Sequence, residues 1–154
     1  MPVLLKGNRV RLITMLEVYT VRLHHDGQPE QIAEMSVLED EAQGLIRVRV
    51  ATSLRVYEGQ DSGFFETLCV VRRKLEHDGV LLCVQGAMLG VYPSPMALSM
   101  GARVAYRLAL GQPAKTADLV DLFEPVDKMG STVEEQAQWY NLWLHSLSAS
   151  SELQ

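Results

Sequence analysis

The chain is poor in the residues that carry most enzymatic chemistry. Its 154 residues include two cysteines and four histidines, and aromatic residues make up 6%. Cys69 and Cys83 each lie inside an apolar run, where a free thiol packs like a small hydrophobe. They read as two buried, reduced thiols, and the sequence offers no support for a disulfide. His24, His25, His77 and His145 show no metal-ligand spacing with a second His or Cys, so neither a metal nor any other cofactor is expected. There is no Gly-x-Ser-x-Gly elbow, no phosphate loop and no dinucleotide fingerprint. Gly86-Ala87-Met88-Leu89-Gly90 has two glycines but lacks the flanking Lys and Ser/Thr that handle phosphate. No run approaches the roughly 18 apolar residues of a membrane span, and the apolar stretch after Met1 is too short for a signal peptide. A cytoplasmic protein, not an enzyme, with no membrane partner is the expectation.

What the chain does have is an ordinary globular composition, 47% hydrophobic and 21% charged, in a length that suits one domain. We read residues 1–147 as a single α+β domain and 148–154 as a polar, frayed tail. The net charge of −5 is unevenly placed. Lys and Arg balance Asp and Glu through residue 110. Residues 111–154 hold Lys115 and Lys128 against Asp118, Asp121, Glu124, Asp127, Glu134, Glu135 and Glu152. Such a field disfavours nucleic acid and steers a basic protein, although solubilising a surface accounts for acidic residues equally well.

Periodicity supplies the elements. Ile46, Val48 and Val50 alternate with Arg47 and Arg49 as in a half-buried strand, Arg9 to Leu12 repeats this more weakly, and Val18 to Leu23 is rich in β-formers. Gly59-Gln60-Asp61 closes this region. From Ser62 to His77, Phe64, Leu68, Val71 and Leu75 form one helical stripe widened by Phe65 and Cys69. Asp61 or Ser62 caps its start and Asp78-Gly79 its end. Arg72, Arg73, Lys74 and His77 read as cations complementing the helix dipole on a wet face. Val80 to Val84 suits a central strand covered on both sides.

Tyr92-Pro93-Ser94-Pro95-Met96 forces a corner, because each proline excludes helix before its ring. A strand follows, with Val104, Tyr106, Leu108 and Leu110 on one face and Arg103, Ala105, Arg107 and Ala109 on the other. Asp118 to Phe123 reads as a strand or one helical turn. Ser131 and Thr132, each followed three positions on by Glu, are overlapping capping boxes for a second helix. Its stripe comprises Val133, Ala137, Tyr140, Trp143, Leu144 and Leu147, with Trp139 at the edge. The expected fold is therefore a mostly antiparallel sheet with two main amphipathic helices packed on it.

Several of these segments form a pattern. Arg72-Arg73-Lys74-Leu75-Glu76, Val91 to Met96, Met100-Gly101, Ala105 to Leu108, Leu119 to Phe123 and Glu134-Glu135-Gln136 together resemble small bacterial immunity-like proteins associated with polymorphic, Rhs-type toxins. Pro95 and Ala102-Arg103 stand where that pattern favours glycine, which stiffens the corner. The resemblance implies a protein that binds and neutralises a cognate toxin domain. The residues themselves leave a non-catalytic regulatory or small-ligand-binding module as the other reading. For a partner surface they suggest Asp118, Asp121, Glu124, Asp127, Glu134, Glu135 and Trp139, with the Tyr92–Met100 corner as the next candidate.

Overall fold

The computed structural model describes residues 3–4 and 13–152, with side chains from residue 15 to 149; the expected strand at Arg9 to Leu12 lies outside them. Strands β1 (Val3–Leu4), β2 (Ile13–His25), β3 (Gln31–Asp40), β4 (Leu45–Ala51) and β5 (Val56–Asp61) lead into helix α1 (Phe64–His77) and strand β6 (Val80–Cys83). After a 3-10 turn at Gln85–Ala87 come β7 (Val91–Tyr92), α2 (Pro95–Ser99) and β8 (Val104–Arg107). A second 3-10 turn, Thr116–Asp118, precedes β9 (Leu119–Asp121) and α3 (Val133–Glu152).

Two antiparallel sheets result. The larger is a six-stranded half-barrel in which β2 to β5 form a meander. At 13 residues, β2 is long enough to take two neighbours in succession on its other edge, β1 at Ile13–Thr14 and β6 at Arg22–His25. The alternation of β4 holds, with Ile46, Val48 and Val50 buried beside Met35 and Val37 of β3. On that face lies α1, whose Phe64, Leu68, Val71 and Leu75 are all buried. Burial of each such side chain stabilises by about 1.5–3 kcal/mol. Gly59, expected in a closing turn, is instead inside β5: a Cβ there would lie 2.8 Å from Val71 N, so only glycine admits the helix so close. Gly63 rather than Asp61 or Ser62 precedes α1, without a side-chain cap; Asp78 and Gly79 close it by donating to the carbonyls of Leu75 and Glu76.

The smaller sheet, β7-β8-β9, corrects the expected arrangement of two main helices on one sheet. The physical reason is a blocked edge. Among the described residues β6 pairs with no strand but β2, so it is not the central strand expected, and its outer side is occupied by the segment after Phe123. Val126 N donates to Cys83 O, and a Cβ on Gly130 would overlap Leu82 O. Strands from the region 91–121 therefore pair among themselves. α3 packs on β7 and α1 rather than across the large sheet, and α2 is a third, short helix with Ser94 Oγ accepting from Ala97 N at its start. In β8 the fully buried residue is Ala105, from the face expected to point outward, while Val104 and Tyr106 are half-buried. Its Ala105 side meets the core with Leu122 and Phe123. α3 forms the Thr132–Glu135 box but not the Ser131 one, because the Ser131 hydroxyl donates to Ala87 O. It runs past Leu147 through Glu152, into the segment read as tail, and leaves Leu144 of its expected stripe exposed.

The sharpest correction is Arg72. Read as one of several wet-face cations, it is 1% exposed. Its guanidinium donates to Gly86 O at 3.2 Å, Ser131 O at 3.0 Å and Gln136 Oε1 at 2.5 Å. Gln136, also 1% exposed, returns its amide to Gly86 O and Val91 O. Burial pulls Arg72 below the ordinary arginine value, and neutral acceptors ligate it in place of a carboxylate. This network clamps α1, the 86–91 segment and α3 together.

Candidate functional site

The fold divides the acidic C-terminal third into separate places. Asp121 lies 3.3 Å from Arg103 Nε, and its other oxygen accepts from Phe123 N. Arg103 also pairs with Glu17 at 2.6 Å, and its guanidinium rests over the edge-packed rings of Phe64 and Phe123, 5.3 and 5.2 Å from their centroids. The hydrogen bond from Tyr19, then Arg103, holds the Glu17 carboxyl below its usual range despite partial burial. This cluster ties β2 to the small sheet, so Asp121 serves the join. Asp118 ends the second 3-10 turn, and exposed Glu124 uses its carbonyl to accept from Gln85 N.

Asp127, Glu134, Glu135 and Trp139 belong to the other group, at the start of α3 and the loop before it. Asp127 reaches Arg22 at 3.2 Å in the open, Glu134 accepts from Gln138, and Glu135 closes the box with Thr132. Four residues beyond Glu135 and on the same helix face, Trp139 is half-buried with its ring against Gly90. Beside them opens a depression of about 510 Å³, lined by His24, Asp26, Glu76, Glu135, Leu89 and Met129 among others. Leu89 and Met129 stand well out of the surface. Asp127 lines an adjoining depression that shares both of them.

Glu76, Asp26, His24, Leu89 and Met129 are not among the residues that the sequence suggests for a partner surface. Glu76 has a role at the end of α1: its carboxylate accepts from Val133 N at 3.0 Å, capping α3 from outside. His24 and Asp26 are 3.2 Å apart. Burial holds the Glu76 carboxyl above its ordinary 4.5, outweighing the Val133 N–H, Arg72 and Arg73. An acid with a raised folded pKa binds its proton more tightly in the folded chain. The contribution of Glu76 to stability is therefore poorest above that raised value and improves as pH falls through it toward 4.5. Glu76→Gln keeps an oxygen for Val133 and removes the charge. It is expected to raise stability at neutral pH and to lack this gain on acidification. Urea midpoints of both proteins from about pH 4 to pH 8 check this, and a less stable variant at neutral pH overturns it.

Among the described residues no group of three or more His, Cys, Asp or Glu is placed to hold a metal ion, and no helix is long and apolar enough to cross a membrane. Both cysteines are free and buried, and burial pushes both thiols up, away from the thiolate form a nucleophile needs. What the depression offers is three carboxylates, those of exposed Asp26 and Glu135 and half-buried Glu76, beside the exposed apolar side chains of Leu89 and Met129. No protein-family model matches the chain, and no curated protein matches it.

Proposed function

We propose that this is a non-catalytic protein-binding module that captures a basic face of a protein partner, the cognate toxin domain of an immunity pair being the partner class the sequence resemblance implies. The observation that carries the reading is the depression at the start of α3. Asp26, Glu76 and Glu135 line it, and exposed Leu89 and Met129 flank it. A lysine or arginine has the matching form, an apolar stem ending in a cation. Glu76 supports the reading, since a charge retained at a cost to folding is characteristic of a working site. Trp139 beside Gly90 supplies the aromatic neighbour that binding surfaces favour.

The test is protection. The gene is expected to adjoin a reading frame for a toxin domain; that domain is expressed with and without the protein, and affinity is measured for the parent and for a Glu76→Gln, Asp127→Asn, Glu135→Gln variant. The expected result is survival with the parent and binding weakened by about tenfold or more in the variant, with a shallower salt dependence. Undiminished killing, or unchanged affinity and salt dependence in the folded variant, overturns the reading.

A further inference from the structure

β5 is the last strand of the large sheet, and among the described residues no strand pairs with its outer edge. Which of its backbone groups face outward follows from the turn before it. Thr52 N donates to Arg55 O, so these two residues form a hydrogen-bonded pair, and such pairs alternate along an antiparallel ladder. Tyr57, Gly59 and Asp61 therefore bond to β4, whereas Val56, Glu58 and Gln60 turn their N–H and C=O groups away from it. An independent contact agrees: Lys74 Nζ, reaching from α1, donates to Glu58 O at 2.6 Å. Among the described residues the other outward groups, the three N–H and the carbonyls of Val56 and Gln60, meet no partner strand. They line an edge roughly 17 Å long.

Beside this edge runs a groove of about 500 Å³ whose other wall is α1. Because Gly59 admits the helix directly over β5, the flank of α1 that carries Arg73, Lys74 and His77 stands along the edge. All three are exposed. Arg55, at the start of the strand, is held by Asp78 at 2.5 Å, but no carboxylate among the described residues pairs with Arg73 or Lys74. Glu58, the acidic residue of the groove, lies on the exposed outer side of β5 with Arg49 opposite it on β4. On a chain of net charge −5, the groove is a place of positive charge.

Backbone and charge together narrow the occupant. A strand added to β5 bonds Val56, Glu58 and Gln60 through its main chain and turns alternate side chains toward α1. Those side chains meet Arg73 and Lys74, so carboxylates suit them. A second copy of this chain is a poor fit. Antiparallel pairing about Glu58, the register that uses all three outward residues, sets Glu58 against Glu58 and the α1 cations against their own copies. Lys74 blunts the edge against such neutral or like-charged strands. A carboxylate instead draws its ammonium off Glu58 O, exchanging a neutral acceptor for a charged one.

We propose that the β5 edge takes up an extended segment of a protein partner as an added strand, with acidic residues at alternate positions facing Arg73 and Lys74. The groove shares no lining residue with the acidic depression, and the proposal stands whether or not that depression binds a toxin.

The probes are three acetylated seven-residue peptides. In the first, glutamate alternates with threonine and valine, so one face presents carboxylates to α1 in either strand direction. The second has glutamine for glutamate, and the third is the first with its backbone nitrogens methylated. Binding to the full chain is followed by backbone amide NMR shifts up to about 1 mM peptide, the weak limit of specific recognition. Hydrogen exchange at Val56, Glu58 and Gln60 is read alongside. The first peptide is expected to shift signals at residues 55–61 and 73–77 and to slow exchange at those three amides. The glutamine peptide is expected to bind about tenfold more weakly and the methylated one not at all. An Arg73→Glu, Lys74→Glu variant, altered at two exposed side chains, is expected to keep a dispersed spectrum and lose about tenfold or more in affinity for the first peptide. No binding by the first peptide, equal binding by the glutamine or methylated peptide, undiminished binding by the variant, or shifts mapping elsewhere overturns the proposal. So does slowing of the same three amides when the free chain is concentrated, which assigns the edge to a second copy.

Discussion

Replacing Arg72 with alanine is expected to destabilise the protein by about 3–5 kcal/mol, the range for breaking a buried, charge-assisted network from one side. The substitution strands Ser131 O and Gln136 Oε1, and removes one of the two donors to Gly86 O, in a region closed to water. It also leaves a cavity where a fully buried long side chain stood. Lysine does not rescue, because a single ammonium cannot hold three acceptors in the planar fork that guanidinium provides. Urea denaturation checks the magnitude, and a double-mutant cycle with Gln136→Ala checks the cause. Arg72 and Gln136 share partners, so their costs should fall short of additive by about 1 kcal/mol or more. Additive losses would mean that the two side chains act independently.

The second large effect is expected at Gly130. A methyl group there would overlap the carbonyl oxygen of Leu82, a backbone atom of β6 that cannot swing aside. Gly130→Ala is expected to cost about 3 kcal/mol or more, since relief requires moving either β6 or the segment leading into α3. Ser131 follows directly and bonds Ala87 O through both its N–H and its hydroxyl. Any shift at residue 130 is thus passed to the start of α3 and to the acidic depression. Hydrogen exchange should show the first turn of α3 losing protection before β3 and β4. Parent-like protection and stability would show that the contact relaxes without consequence.

The parts of this architecture that were legible in the sequence are those governed by a period. The α1 stripe and the β4 alternation each record burial on one side of a regular element, and the structure keeps both. Arg72 was read as a surface cation because its helix end is crowded with cations; its ligands lie at residues 86, 131 and 136, and no local pattern announces them. The small sheet was missed for a related reason. Whether a strand joins one sheet or begins another depends on what blocks the open edge, here Gly130 and Val126 beside β6. Charge summed along the chain also differs from charge gathered in space. Asp121 belongs to Arg103, while Asp26 and Glu76, from the neutral part of the sequence, join Glu135 around one depression.

The Arg72 clamp has a consequence for the order in which the chain can complete itself. The β2–β5 meander pairs neighbours in sequence, and α1 follows it directly, so these elements can assemble from local contacts as they leave the ribosome. Arg72 is placed by that assembly before Ser131 and Gln136 have been made, some 59 and 64 residues later. Until then a guanidinium sits on α1 with two of its three final acceptors missing, and the surface destined for α3 must stay wet to solvate it. The last of its acceptors, Gln136 Oε1, comes only with α3, so this cation ties completion of the core to the helix that borders the acidic depression.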